Sequence, residues 1–228
     1  MTVYDEYQTK RCTADVAVQL VRDGDWVDYS QTCSFPTDLD AALAKRRDEL
    51  HDINVRNAIS CRPIQVVEQD PERKTFTYNL WHCSGLDRKY LDAGRAFHSP
   101  MIFRNCSSYY TRGYAPVNVA MITVAPMDKH GNFNYGLTNC CQQAMLDAAD
   151  RIILEVNEEM PVIYGMENDH IHISDVDCVV ESHAHLCTAP NRAASDIDRQ
   201  IAEKIFPYLH NGMTLQLGIG GMPNACLL

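Results

Sequence analysis

No apolar stretch in the sequence is long enough to cross a bilayer. Its longest apolar run, residues 117–127, falls well short of the roughly 20 residues a spanning helix needs. The opening residues, Met1-Thr2-Val3-Tyr4-Asp5-Glu6-Tyr7, have neither a basic region nor an apolar core, so no signal peptide is expected. Basic residues are scarce and scattered singly: 20 Lys and Arg stand against 30 Asp and Glu, a formal net charge of −10. That balance argues against a nucleic-acid backbone or an anionic membrane as partner. A small anionic ligand remains compatible, because a local cradle of amides can outweigh a diffuse net charge. No C-x-x-C occurs among the ten irregularly spaced cysteines, and 228 residues can bury a core without staples. Reduced thiols in a cytoplasmic protein are expected, with the adjacent Cys140 and Cys141 read as small residues at a packed helix start.

Strands and helices alternate along the chain. Thr13 caps a helix through residues 14–21 that Gly24 stops, and residues 26–29 read as a strand. Thr37 and Asp40 have capping-box spacing ahead of a helix over residues 39–50. Further strands are expected at residues 53–59, 75–81, 101–105, 117–124 and 151–156. The last two are continuously apolar at their centres, as in strands covered on both faces. Ser84 opens a helix that Gly94 closes, and residues 139–149 form another. The pattern predicts an α/β fold with an open, mostly parallel sheet flanked by helices. With no low-complexity linker before Ser195, the boundary falls near Pro190-Asn191, giving domains 1–190 and 191–228.

The second segment is predicted as a helix over residues 195–209, a strand over 213–217, and the glycine loop Gly218-Ile219-Gly220-Gly221-Met222 ahead of Pro223. Glycines let backbone approach a ligand closely, and a proline suits the first turn of a helix. Free amides at such a turn can face an anion. The order from Asp23-Gly24 to Pro36 matches that from Asn211-Gly212 to Pro223 with one residue of slippage, suggesting two copies of one α/β unit, the second incomplete.

Other polar clusters read as ordinary structure. Residues 124–136 follow a buried strand and suit either a pocket wall or a plain turn around Asp128-Lys129-His130-Gly131, the turn being favoured. His170 with His172, and His183 with His185, put paired imidazoles on one face of a possible strand. No further ligand pattern fixes a metal geometry, so they are read as surface histidines and no metal is expected. Glu155, at a strand's carboxyl end, is a possible base or nucleophile but more simply part of a solvated loop with Asn157, Glu158 and Glu159. His82 and Cys83 are adjacent on a strand and point to opposite faces, so they form no dyad.

Taken together, several segments resemble the acetyl-CoA hydrolase/transferase family, in particular its members acting on butyryl-CoA with acetate and on 4-hydroxybutyrate. They are residues 216–225, Val124 to Asp128 with His130-Gly131, Phe133 to Gly136, Glu155 to Glu158, Ser174 to Val176 and Asp23 to Tyr29, which span nearly the whole chain in order. The resemblance implies a class I CoA-transferase-like fold and ping-pong transfer of CoA from a short-chain acyl-CoA to acetate. A glutamate carboxylate forms an acyl anhydride, then a glutamyl-CoA thioester that a second carboxylate resolves. It further implies that Gly218, Ile219, Gly220, Gly221 and Met222 contact coenzyme A, which is a substrate here and not a resident cofactor. The catalytic glutamate of the family follows that loop in a segment beyond Leu228. No residue of this chain is therefore expected to be catalytic, and the chain alone is expected to be inactive. The missing part would come from its own carboxyl-terminal domain or a separate chain, and the apolar surface where that part docks makes a homo-oligomer the expected state. The active-site cleft is expected to be floored by residues 30–37, 126–131 and 218–224. A hydrolase of the same family, or a non-catalytic nucleotide-binding or docking subunit, are the alternatives.

Overall fold

Nine strands are present among the described residues: β1 (Trp26–Gln31), β2 (Ile53–Ala58), β3 (Phe76–Leu80), β4 (Phe97–His98), β5 (Val117–Val124), β6 (Asn132–Asn134), β7 (Ala149–Asn157), β8 (His170–His172) and β9 (Cys178–Ser182). The helices are α1 (Val3–Lys10), α2 (Ala14–Ala17), α3 (Thr37–Lys45), α4 (Gln65–Glu68), α5 (Gly85–Asp92), α6 (Cys106–Thr111), α7 (Gln142–Asp147), α8 (Asp196–Ile205) and α9 (Gly221–Ala225). This computed structural model describes residues 2–165, 168–188 and 193–227. The chain divides into two units, Met1–Cys187 and Thr188–Leu228; the expected boundary at Pro190-Asn191 lies outside the described residues.

Seven strands of the first unit form one parallel sheet in the order β4-β3-β2-β1-β5-β7-β9, and β6 pairs antiparallel with β8. The open, mostly parallel sheet flanked by helices is thus the fold read from the sequence. On β5 and β7 successive side chains feed opposite cores. Val119, Met121 and Ile153 join one apolar cluster, while Ala120, Ile122, Ile152 and Leu154 join the other. Strand order reverses between β1 and β5. In open α/β sheets that switch point, at the carboxyl edge, is where a crevice forms.

Local signals produced local structure. Ser84 and Asp87 make a full capping box at α5, and Gly94 ends the turn with φ of 69°. The segment expected as a strand at residues 101–105 is instead a 3-10 turn, Phe103–Asn105, running into α6. Cys106 and Tyr110, four residues apart and so on one face of the helix, are the pair α6 buries. The helix expected over residues 139–149 is shorter, because the buried Gln142 side chain accepts the amides of Cys140 (2.8 Å) and Cys141 (3.2 Å) and starts α7 there. Cys140 is exposed, not packed.

In the second unit, α8 carries the capping box of Ser195 and Asp198, followed by a 3-10 turn at Phe206–Tyr208. Gly212 has φ of 85°, as Gly24 has 80°, so the turns of the suggested repeat agree. The predicted strand over 213–217 does not form. Residues 213–218 are exposed, and among the described residues no neighbouring strand offers them a ladder; a lone strand leaves its amides unpaired.

The capping box expected from Thr37 and Asp40 is also replaced. Glu155 of β7 is buried, and its carboxylate accepts the first amides of α3: Thr37 (2.9 Å), Asp38 (2.9 Å) and Leu39 (3.0 Å). Thr123, its cross-strand partner on β5, donates its hydroxyl to the Phe35 carbonyl at 2.9 Å. Asp40, freed from its own helix, accepts the amides of Gln65 (2.6 Å) and Val66 (3.4 Å) at the start of α4, and the Tyr29 hydroxyl at 3.2 Å. Glu155 is therefore not in a solvated loop. It fixes the sheet to α3.

Burial pushes the Glu155 carboxyl up from 4.5 to about 7 and the Asp40 carboxyl up from 3.8 to about 7, the amides they accept pulling the other way. At pH values between the unfolded values and about 7, both carboxyls hold a proton in the folded chain that the unfolded chain has released. Their stabilising contribution is complete below the unfolded values and is lost as pH rises through about 7. Urea denaturation across this window should show Glu155→Gln, which cannot ionise, losing part of the wild-type decline; an unchanged slope would refute the assignment. Glu155→Ala leaves three helix amides without an acceptor and should cost about 3 kcal/mol in the same measurement.

Candidate functional site

The carboxyl edge of the sheet beside the switch point is built from unusual backbone. Ser30 (φ 58°), Thr32 (φ 48°) and Ile59 (φ 54°) lie in the left-handed region at the ends of β1 and β2, where none of them is a glycine. Register between β1 and β2 shifts between Asp28 and Gln31. Asp28 holds the bend by accepting the Ser30 amide at 2.8 Å.

Beneath the bend sits a buried ion pair, Asp28 with Arg56 at 3.0 Å, between residues in register on β1 and β2. The guanidinium carbon lies 4.7 Å from the Trp26 ring centre and 4.8 Å from that of Trp81, and the Tyr110 hydroxyl donates to Asp28 at 2.8 Å. Asp28 thereby meets three donors, the condition under which a buried charge is tolerated.

Above this pair is a cavity of about 50 Å³, lined among others by Ser30, Gln31, Trp81, Met101 and Tyr110. Ser30 Oγ and Gln31 Nε2 are both buried with no hydrogen-bond partner. Buried polar atoms are ordinarily paired, so two that are not, on one cavity wall, suit a ligand's oxygen. The turn that follows β1 is held in place by Thr32 and Thr138, whose hydroxyls are 2.6 Å apart, and by Gln142, which donates to Ser34 Oγ at 3.1 Å.

Of the loops expected to floor the site, residues 30–37 contribute Ser30 and Gln31 to this cavity, and residues 32–37 do not line it. Of residues 126–131, Pro126 and Met127 line another cavity, of 310 Å³, with Tyr7, Glu181 and His183. Asp128 there accepts the amides of His130 and Asn132, both at 2.8 Å, so the segment is a tight turn leading into β6. His170 bonds to Asp169 at 2.6 Å, and His172 contacts Ser174 Oγ at 2.8 Å. His183 and His185 follow the end of β9 and do not share a strand. The Glu155 carboxylate is occupied by helix amides, which leaves it no role as a nucleophile.

The third loop belongs to the second unit. Gly220 has φ of 150° and caps α9, and a side chain at Gly221 would meet the Asp198 carboxylate at 2.8 Å. Gly218 faces open space, Ile219 is fully exposed, and Met222 is half-buried in α9 with Pro223 inside the first turn.

Comparison with known proteins places this architecture. Residues 1–189 match the acetyl-CoA hydrolase/transferase N-terminal domain. The chain is 43% identical to butyryl-CoA:acetate CoA-transferase of Anaerostipes caccae over 99% of its own length and 51% of that protein's. It is 30% identical to 4-hydroxybutyrate coenzyme A transferase of Clostridium kluyveri, over 97% and 51%. Among solved structures it superimposes on RipA from Yersinia pestis with a TM-score of 0.87 at 27% identity, covering 98% of this chain and 54% of that one. The chain spans about half the length of the curated relatives it matches. With the sheet order, the matched domain and these relatives in agreement, the chain belongs to the acetyl-CoA hydrolase/transferase family.

Proposed function

We propose that this chain is the amino-terminal part of a CoA-transferase that moves CoA from a short-chain acyl-CoA, butyryl-CoA foremost, to acetate. The observation that carries the reading is the 43% identity, along the whole chain, to a butyryl-CoA:acetate CoA-transferase. The edge cavity supports it. A water-sized probe takes about 10–15 Å³, so a cavity of about 50 Å³ admits a handful of heavy atoms, the size of a short acyl tail or acetate. Ser30 Oγ and Gln31 Nε2 stand ready there for a carboxylate or thioester oxygen.

In this mechanism a glutamate carried beyond Leu228 attacks the thioester carbonyl, forming an acyl-glutamyl anhydride and releasing the CoA thiolate. The thiolate then attacks the glutamyl carbonyl, the acyl group leaves as a carboxylate, and acetate takes CoA from the glutamyl thioester by the reverse steps. Gly218, Ile219, Gly220, Gly221 and Met222 form the CoA contact, since bare glycine backbone lets the nucleotide end of the ligand come close. The remaining half comes from a carboxyl-terminal domain or a separate chain, and the working assembly is a cytoplasmic homo-oligomer.

The full-length protein should convert butyryl-CoA and acetate to acetyl-CoA and butyrate, while residues 1–228 alone should not. Absence of exchange with any short carboxylate would sink the reading, and CoA release independent of acetate would favour a hydrolase. In the full-length protein Gly221→Ala, which drives a Cβ toward Asp198, should raise the KM for the acyl-CoA by about tenfold, or about 1.4 kcal/mol, with a smaller change in kcat. An unaltered KM would remove Gly221 from the CoA contact.

A further inference from the structure

Three cysteines far apart in sequence meet at the carboxyl edge of the first unit, outside the cavity described above. Cys33 lies in the turn after β1, Cys61 follows β2, and Cys187 ends the segment that leaves β9. That segment runs back across the sheet edge. The Asn157 side chain donates to the Ala184 carbonyl at 2.6 Å, and the Arg62 guanidinium donates to the His185 carbonyl. At its end the two chain segments cross-bond: the Cys33 thiol donates to the Cys187 carbonyl at 3.5 Å, and the Cys187 thiol to the Thr32 carbonyl at 3.8 Å. The Cys33 sulfur therefore rests against the backbone of Cys187, and the Cys187 sulfur against that of Thr32.

Arg62 stands over this crossing. It is held there by the Thr37 hydroxyl at 2.8 Å and the His185 carbonyl, and its Nε is buried without a partner. A fixed cation beside a thiol favours thiolate. The neighbouring Cys33 and Cys61 thiols, together with the Arg62 guanidinium, hold the Cys187 thiol below its usual range, while Cys33 and Cys61 are held above it. None of the three is fully buried, so a small reagent can reach them. Elsewhere, Cys141 and Cys178 are raised, by thiol bonding to Cys106 and by burial respectively.

We propose that Cys187 and Cys33 form a reversible thiol–disulfide site, with Cys187 the attacking sulfur and Cys33 the resolving one. The co-reactant is a low-molecular-weight disulfide. The Cys187 thiolate attacks one of its sulfurs, forming a mixed disulfide and releasing one small thiolate. Cys33 then gives up its proton and attacks the Cys187 sulfur of the mixed disulfide, expelling the second small thiol. Two protein thiols become one disulfide, and the reagent is reduced to two thiols. The new bond clamps the segment after β9 to the turn after β1. The inference stands apart from the transferase reading, because its chemistry needs neither CoA nor the rest of the protein's activity.

The test treats the full-length protein with oxidised glutathione, alkylates the remaining thiols, and maps peptides by mass spectrometry before and after dithiothreitol. A reducible cross-link between the Cys33 and Cys187 peptides should form about tenfold or more faster than glutathione adds to Cys140. Cys33→Ser should stop the reaction at a Cys187–glutathione mixed disulfide, and Cys187→Ser should abolish the cross-link. Cys187 remaining alkylatable, Cys140 reacting first, or a link from Cys187 to Cys61 in place of Cys33 would each overturn the proposal. The wild-type map decides these outcomes even if a variant fails to fold.

Discussion

The first unit depends on one carboxylate placed under one helix. Glu155 sits near the carboxyl end of β7 and accepts the three leading amides of α3, a task that a helix usually assigns to a residue at its own start. A buried charge at a helix amino terminus is stabilised by the amides and by the aligned peptide dipoles together. Moving the cap onto β7 has two effects. It locks the helix to the carboxyl end of β7, and it leaves Asp40 to cap α4 and hold Tyr29. The turn after β1 is then free of capping duty, and Thr138 and Gln142 shape it instead.

Around that tie, the switch point between β1 and β5 acquires its features in layers. The Asp28–Arg56 pair lies lowest, closed over by Trp26, Trp81 and Tyr110. Such a pair gives little net stability over an apolar replacement, since desolvation offsets its attraction, but removing one partner would strand the other. It sets the register of β1 against β2 at the point where the bend begins. The bend, in turn, presents Ser30 and Gln31 to the cavity.

How legible these features were in the sequence follows from their range. The box of Ser84 and Asp87 spans three residues and was readable, as was the two-faced burial of β5 and β7 from their continuous apolar character. The cap of α3 was not, because its acceptor lies 118 residues from Thr37, and nothing near Glu155 in sequence marks it as buried. The edge cavity is likewise assembled from β1, β2, β3 and α6, and the thiol crossing from residues 154 positions apart. The strand expected over 213–217 shows the opposite limit: its alternation was present, but a strand exists only where a neighbour shares its ladder. Family motifs, which carry non-local information in compressed form, reached further than periodicity did and pointed to the family that the relatives establish.

The left-handed backbone at Ser30, Thr32 and Ile59 has a consequence for recognition. Each such residue costs about 1–2 kcal/mol, and the neighbouring hydrogen bonds hold it there during folding. At Ser30 the cavity wall's bend is held by Asp28, which accepts the Ser30 amide at 2.8 Å. A ligand meeting a wall already in its final shape loses only its own freedom, so discrimination there rests on fit and not on the energy of closing a loop. Small molecules differing by one methylene would then be separated by steric contact alone, and the reach of such a site is set by the length of side chain at its floor.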